Sequence, residues 1–445
     1  MITFRKPNLL TDPIGSTLMS LTLPMIAGIL SLFLFQLVDT FFIGKLGIYP
    51  LAAIGFIFPV TLVVINITIG LGIGTASVIS RAVGAGHHQT AQTVATHSLM
   101  LSFVVALAIA TIGVIWSPNL FHLMGATEPI LSHILSYVTI WFLGSPCLVL
   151  LMVSGSILRA TGDTKTPSLI MIIDAVINLI LDPLLIFGIG PFPSLGMAGA
   201  AIASVFSWLC ALIMLMAVLV YRDHFLRFEW HLPTLIAHWK HHLFISVPAS
   251  LTTMLQPIAA MILIHILSQF GPATIAGFGI GFRLEPVLLI VAISLSTTLP
   301  AFIGQNWGAN QLQRVHSSLF QSFKFIIVFQ VIVYTIVLIS AQPLAALFSS
   351  DPDVIQVTIQ FLTVLGISYG FEGIILLTNT AFNTVNYPIK ATCLMVVRLF
   401  GLMIPLAILL STYFQAFGVI IAMVIANGAC GLIALWWSSR IFRVK

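Results

Sequence analysis

The stretch "LTLPMIAGILSLFLFQLVDTFFIGKLG" (Leu21–Gly47) decides how this chain is read. It belongs to an almost wholly apolar run between Asp12 and Lys45 in which Asp39 is the one charge. The run exceeds the roughly 20 residues that an α-helix needs to cross a bilayer. A carboxylate at the centre of such a helix costs about 3 kcal/mol on insertion scales. The run therefore reads as a membrane helix, and Asp39 needs a reason to be there.

The rest of the chain follows the same rule. Of 445 residues, 59% are hydrophobic and 7% charged, with a mean hydropathy of +1.13; a soluble domain carries roughly 25% charged residues. The opening "MITFRKPNLLTDP" has no cleavable signal pattern, so the first span is expected to remain as an anchor. Cys147, Cys210, Cys393 and Cys430 all fall in apolar spans without CxxC spacing, which points to neither metal nor disulfide. No HExxH or P-loop occurs, so no enzyme and no cofactor are expected.

Apolar runs of about 20 residues recur along the whole chain. The expected spans are 17–44, 51–79, 92–116, 131–153, 167–187, 197–220, 243–268, 275–302, 320–341, 357–378, 391–411 and 417–439. The longest connection, "YRDHFLRFEWHLPTLIAHWKHH", divides an N-terminal lobe (1–220) from a C-terminal lobe (243–445) through a linker (221–242). Of 17 Lys and Arg, only Lys45 falls in the loops across the membrane from the N-terminus, and Arg283 and Arg398 lie within spans. The others, from Arg5 and Lys6 to Lys445, share the N-terminal side. This bias is expected to place both termini in the cytoplasm of a multi-pass membrane protein. It also accounts for a pI of 9.1 without a nucleic-acid partner.

The two halves echo each other. Pro24 precedes Gly47 by 23 residues, and Pro248 precedes Gly271 by 23. "RAVGAGHH" (from Arg81) answers "QNWGANQL" (from Gln305), and "DTKTPSLIM" answers "VNYPIKATC". Both halves start on the same side, so the repeat is parallel. Two such six-helix bundles, with a cavity between or within them, describe an all-α secondary transporter.

Five acidic residues lie within spans: Asp39, Asp174, Asp182, Glu285 and Glu372. At about 1.5 Å per residue, Asp39, Tyr137, Asp182 and Ser204 each lie about 8–10 Å from the outer ends of their spans. Asn178 stands one turn below Asp182, and Gln36 one turn below Asp39. By the repeat spacing, Asp39 maps to Leu263 and Asp182 to Met403, so the fold itself does not require these carboxylates. Asp174 shares a broad face with Asn178 and Asp182. Arg283 and Glu285 form a candidate ion pair or counter-ion, and Glu372 a candidate gate or second titrating site.

These residues carry a resemblance. "VDTFFIGKLG", "LRATGDTKTP" (Leu158–Pro167) and "NLILDPLLIFG" (Asn178–Gly188) resemble the multidrug and toxic compound extrusion family, as do "GMAGAAIAS" and "GFRLEPVLLI". The lack of an acidic residue in 243–268 resembles its DinF branch. The resemblance implies a twelve-helix, V-shaped, monomeric antiporter that sits in membrane lipid and exports small lipophilic cationic drugs. It implies that Asp39 is protonated during coupling, with Asn178 and Asp182 as the N-x-x-x-D pair, Tyr137 on span four and Ser204 as the span-six hydroxyl. It also implies that the first helix bends at Pro24 when Asp39 takes up its proton.

Burial makes a carboxylate costly as an anion, and a second one nearby makes it costlier, so such a pair takes up and releases protons readily. The expected coupling ion is H+. The alternative is Na+ held by Asp182, Asn178 and Ser204, a sparse set of hard ligands. A lipid-linked precursor flippase is a further alternative, but it calls for a basic cavity and only Arg283 and Arg398 lie in spans.

Overall fold

The computed structural model describes residues 7–443, so Arg5, Lys6 and Lys445 of the charge bias lie outside it. Every regular element among the described residues is helical: α1 Ile14–Gly44, α2 Ile48–Gly84, α3 His88–Leu123, α4 Ile130–Ala160, α5 Lys165–Phe187, α6 Met197–Ala217, α7 Leu232–Leu267, α8 Pro272–Leu288, α9 Ile290–Gly308, α10 Leu312–Ala346, α11 Pro352–Gln360, α12 Tyr369–Thr384, α13 Pro388–Val396 and α14 Ile404–Ile441. Among the described residues ten continuous helices are long and apolar enough to cross a membrane, and the α8–α9 pair, bent by 47°, makes another. Helix α14 contains a break at Gln415 (φ 53°, ψ −138°), which separates the last two expected spans. All twelve spans thus have a helical counterpart. Their outer faces are apolar, with Leu37 66%, Leu143 66% and Ile339 80% exposed. Only lipid makes such a surface favourable, and helices satisfy their own backbone there.

The repeat is written into the backbone. Gly47 (φ 124°) and Gly271 (φ 94°) turn the chain before α2 and α8. These left-handed conformations favour glycine because a side chain would clash there. Gly86 (φ 76°) and Asn310 (φ 56°) occupy the same place in the answering motifs "RAVGAGHH" and "QNWGANQL". Leu263 and Met403, the repeat mates of Asp39 and Asp182, are buried apolar residues.

Two compact units result. Leu23–Ser250 belongs to one; Asn8–Thr22 and the chain from Leu251 onward belong to the other. Helices α1 and α7 each pass from one unit to the other, and both transfers fall beside the repeat prolines Pro24 and Pro248. A proline lacks the N–H that would bond four residues back, which makes each point a weak link in its helix.

In the first unit α4 packs against α2, α3 and α6, around Trp141, Phe142 and Trp208. The "GDTKTP" loop acts as a staple. Asp163 accepts from the Thr166 backbone N–H (3.0 Å) and caps α5, while Arg222, in the π-helical turn after α6, reaches the same carboxylate. Helix α2 meets the inner part of α7 through small residues: Gly70 and Gly74 face Ser250 and Ser246, and His242 bonds Thr75 at 2.8 Å. In the second unit α12 packs against α9, α10 and α14.

The Gly70 contact yields a stability prediction. A Cβ there would stand 2.7 Å from the Ser246 carbonyl oxygen, and backbone cannot swing aside. Gly70→Val is expected to cost about 1–3 kcal/mol through overpacking and to lower the melting temperature in detergent. Gly55→Ala on the same helix, with nothing within 4 Å, is expected to leave it unchanged or raise it. Equal melting temperatures for Gly70→Val and wild type would contradict the packing argument.

Candidate functional site

The first unit gathers its polar residues on α1, α4, α5 and α6. Asp182, Asn178 and Ser204 are 0%, 0% and 2% exposed, and Tyr137 is buried beside them. The four-residue step along α5 stacks Asn178 on Asp182, and its amide donates to Asp182 Oδ1 at 3.3 Å. The same amide reaches Ser204 Oγ across to α6 at 3.4 Å. Tyr137 of α4 is within hydrogen-bonding reach of Ser204 and within the electrostatic reach of both Asp39 and Asp182. Asp182 also lies within the electrostatic reach of Asp39. The structure thus brings Asn178, Asp182, Ser204 and Tyr137 together on α4, α5 and α6, with Asp39 of α1 within electrostatic reach.

The cluster is under-satisfied. Asp39 Oδ1, Asp182 Oδ2 and Asn178 Oδ1 are buried without a hydrogen-bond partner. No basic side chain among the described residues pairs with Asp39 or Asp182. An unpaired carboxylate in apolar surroundings is far cheaper neutral than charged. Such a group gains a proton, or a bound cation, at little structural expense. Of the other residues singled out by sequence, Asp174 is buried (5% exposed) and faces Ser207 on α6. Gln36 is exposed on α1 and does not join the buried cluster.

The second unit holds a different arrangement. Glu372, in the first turn of α12, pairs with Arg398 at 2.7 Å. Arg398 Nε donates to Asn427 Oδ1 (2.8 Å), and Asn427 donates to Ser368 Oγ (2.9 Å). Glu285 lies within reach of Glu372, and Tyr369 stands near both acids. Glu372 Oε2, the oxygen not engaged by Arg398, is buried without a hydrogen-bond partner. Arg283 and Glu285 do not pair: Arg283 is exposed while Glu285 is buried, because residues two apart project to opposite sides of a helix. The network sits where helices are irregular. Arg398 lies in the π-helical Val397–Met403, and Ser368 closes the 3-10 turn Gly366–Ser368. Irregular turns of this kind recur at functional positions.

The amino-acid pattern places Arg398 within a span without assigning it a role, and Ser207, Ser368, Tyr369 and Asn427 do not stand out in it. The signal available for Arg398 is that a basic residue in a span needs an acid. Removing one partner of the pair strands the other. Glu372→Gln is expected to cost about 3–5 kcal/mol in stability, and Glu372→Leu with Arg398→Met to recover most of that loss. Melting temperatures of the two variants check this; a double variant less stable than Glu372→Gln would count against it.

Comparison with known proteins agrees with the repeat and the fold. The MatE family model matches residues 24–184 and 248–409, so its two copies begin at Pro24 and Pro248. The chain is 42% identical to a FAD transporter of Shewanella oneidensis over 98% of this chain and 97% of that protein. It is 28% identical to the probable multidrug resistance protein YoeA of Bacillus subtilis over 85% of this chain and 83% of that one. The crystal structure of the Vibrio cholerae MATE transporter VcmN in the bent form superposes with a TM-score of 0.92 at 30% identity, covering 97% of each chain. Apolar helices in two repeated halves, matched by the family model from Pro24 and from Pro248, align with these transporters over most of their length, and the chain belongs to the MatE family of multidrug and toxic compound extrusion transporters.

Proposed function

We propose that this protein is a proton-coupled exporter of the bacterial inner membrane, of the DinF type, with both termini in the cytoplasm. Asp39 and Asp182 form its coupling site. The observation that carries the reading is the pair itself: two carboxylates from α1 and α5, each with a buried oxygen lacking a partner and neither paired with a basic side chain among the described residues. Asn178, Ser204 and Tyr137 orient the pair and supply neutral hydrogen bonds that suit either charge state. Ionised and protonated forms prefer different surroundings, and that difference alone allows proton binding to shift a conformational equilibrium. Pro24, on the same helix as Asp39 and beside the point where α1 changes units, is the hinge through which the shift acts.

For the cargo, identity of 42% along nearly the whole of a FAD transporter favours a flavin dinucleotide. Electrical energy favours it as well, since each negative charge leaving an inside-negative cell releases about 2.3 kcal/mol per 100 mV. The second reading, a small lipophilic cationic drug, is favoured by the acidic character of the Asp39–Asp182 cluster and by the multidrug names of other relatives.

Reconstituted vesicles distinguish these readings. A pH gradient without sodium is expected to drive FAD export by wild type, and Asp39→Asn is expected to abolish the gradient dependence. Export of ethidium but not FAD selects the second cargo. Dependence on a sodium gradient alone replaces H+ with Na+ at Asp182, Asn178 and Ser204. Full pH-driven transport by Asp39→Asn would falsify the coupling assignment.

A further inference from the structure

Helix α5 carries Asp174, Asn178 and Asp182 at four-residue steps, one above another on a broad face. All three are buried, at 5%, 0% and 0% exposure. Each leaves one oxygen without a partner: Asp174 Oδ1, Asn178 Oδ1 and Asp182 Oδ2. Three orphaned acceptors in a row along one helix face are not explained by packing, since each buried polar atom left unbonded is costly. Their repeat mates show that the fold does not ask for them. Asp174 maps to Met395 and Asn178 to Leu399, both buried apolar residues.

Helix α6 completes the seam. Ser204 meets Asn178, and Ser207, three residues on, faces Asp174. The Ser207 hydroxyl donates to the Ser204 carbonyl at 2.9 Å. A hydroxyl has one proton to give. While it is committed to that carbonyl, Asp174 can bond Ser207 only as the protonated acid. When the hydroxyl turns to Asp174, it stabilises the anion. Asp174 therefore has a partner suited to both charge states. Asp182 lies two turns away, about 12 Å along the helix.

We infer that Asp174 is the inward station of the proton path, receiving the proton from the Asp39–Asp182 pair along the α5–α6 seam and passing it toward the Lys165 end of α5. The transfer runs from the protonated Asp182 through waters held by Asn178 Oδ1 and Asp174 Oδ1 to the Asp174 carboxylate. Asp182 ends as the anion and Asp174 as the acid, and the proton then leaves to water on that side. A buried water needs two or more polar partners, and the orphaned oxygens provide them. The inference rests on the coupling role proposed above for Asp39 and Asp182.

The test uses the full-length protein in vesicles with FAD and ethidium as parallel probes. Asp174→Asn is expected to slow pH-driven export about a hundredfold, the size of effect expected when a positioned proton carrier is removed. Cargo-for-cargo exchange, which needs no net proton movement, is expected to stay at the wild-type rate. Proton uptake from an acid pulse on the outer face, read by a pH dye in the surrounding medium, should persist in Asp174→Asn and vanish in Asp39→Asn, while delivery of protons to the opposite side should be lost in both. Asp174→Glu should restore export. Wild-type export by Asp174→Asn overturns the inference, and so does loss of exchange together with export, which marks a structural role. Wild-type export by Asp39→Asn instead overturns the coupling reading and removes the basis of this one.

Discussion

A carboxylate surrounded by hydrocarbon has to be paired, protonated or put to use, and the arrangement of this transporter follows from that constraint. Lipid supplies no hydrogen bonds, so the backbone folds into helices that satisfy themselves. Side chains receive no such general solution. Each acidic residue inside the spans needs its own, and the two units solve the problem differently. In the second unit Glu372 has Arg398, and Arg398 in turn has Asn427. In the first, Asp182 has the neutral Asn178 amide, and Asp39 keeps a buried oxygen without a partner. A paired charge is held in place, whereas an unpaired carboxylate among neutral groups changes its charge with little else having to move.

The internal repeat turns this difference into an experiment already performed within one chain. Both halves share proline positions, left-handed turns and helix order. Yet Asp39, Asp174, Asn178 and Asp182 correspond to Leu263, Met395, Leu399 and Met403, all buried and apolar. The second half shows what the fold needs at these positions, and it needs only volume. The polar atoms were added to that frame in one unit. The prolines were kept in both, at the places where α1 and α7 pass between units. The two helices are weakened at the same point in each repeat, but only α1 carries an acidic residue within its span.

Much of this is legible in the amino-acid sequence. Span positions follow from apolar runs, because transfer into lipid acts residue by residue. The Asp39–Asp182–Tyr137–Ser204 level follows from counting helical rise, which is nearly constant. Gln36 and the Arg283–Glu285 pair mark the limit of that counting. Depth fixes height in the bundle but not rotation about the helix axis, and Gln36 and Arg283 lie on exposed faces. Ser207 escapes notice because a lone serine in an apolar span is commonplace; only the carboxylate opposite it gives it meaning.

By itself, the sequence determined the solvent of this protein, its twelve helices, its two-fold repeat and the few buried charges that cannot be accidental. All of these depend on hydropathy, on spacing and on the missing N–H of proline, which are local properties. Only the tertiary structure decided which charges meet. That Glu372 binds Arg398, that Asn178 bridges Asp182 and Ser204, and that Asp174 faces Ser207 depends on the azimuth of separate helices. Those rotations are set by packing among residues far apart in the chain, through contacts such as Gly70 against Ser246 and Ser250 that no single helix contains.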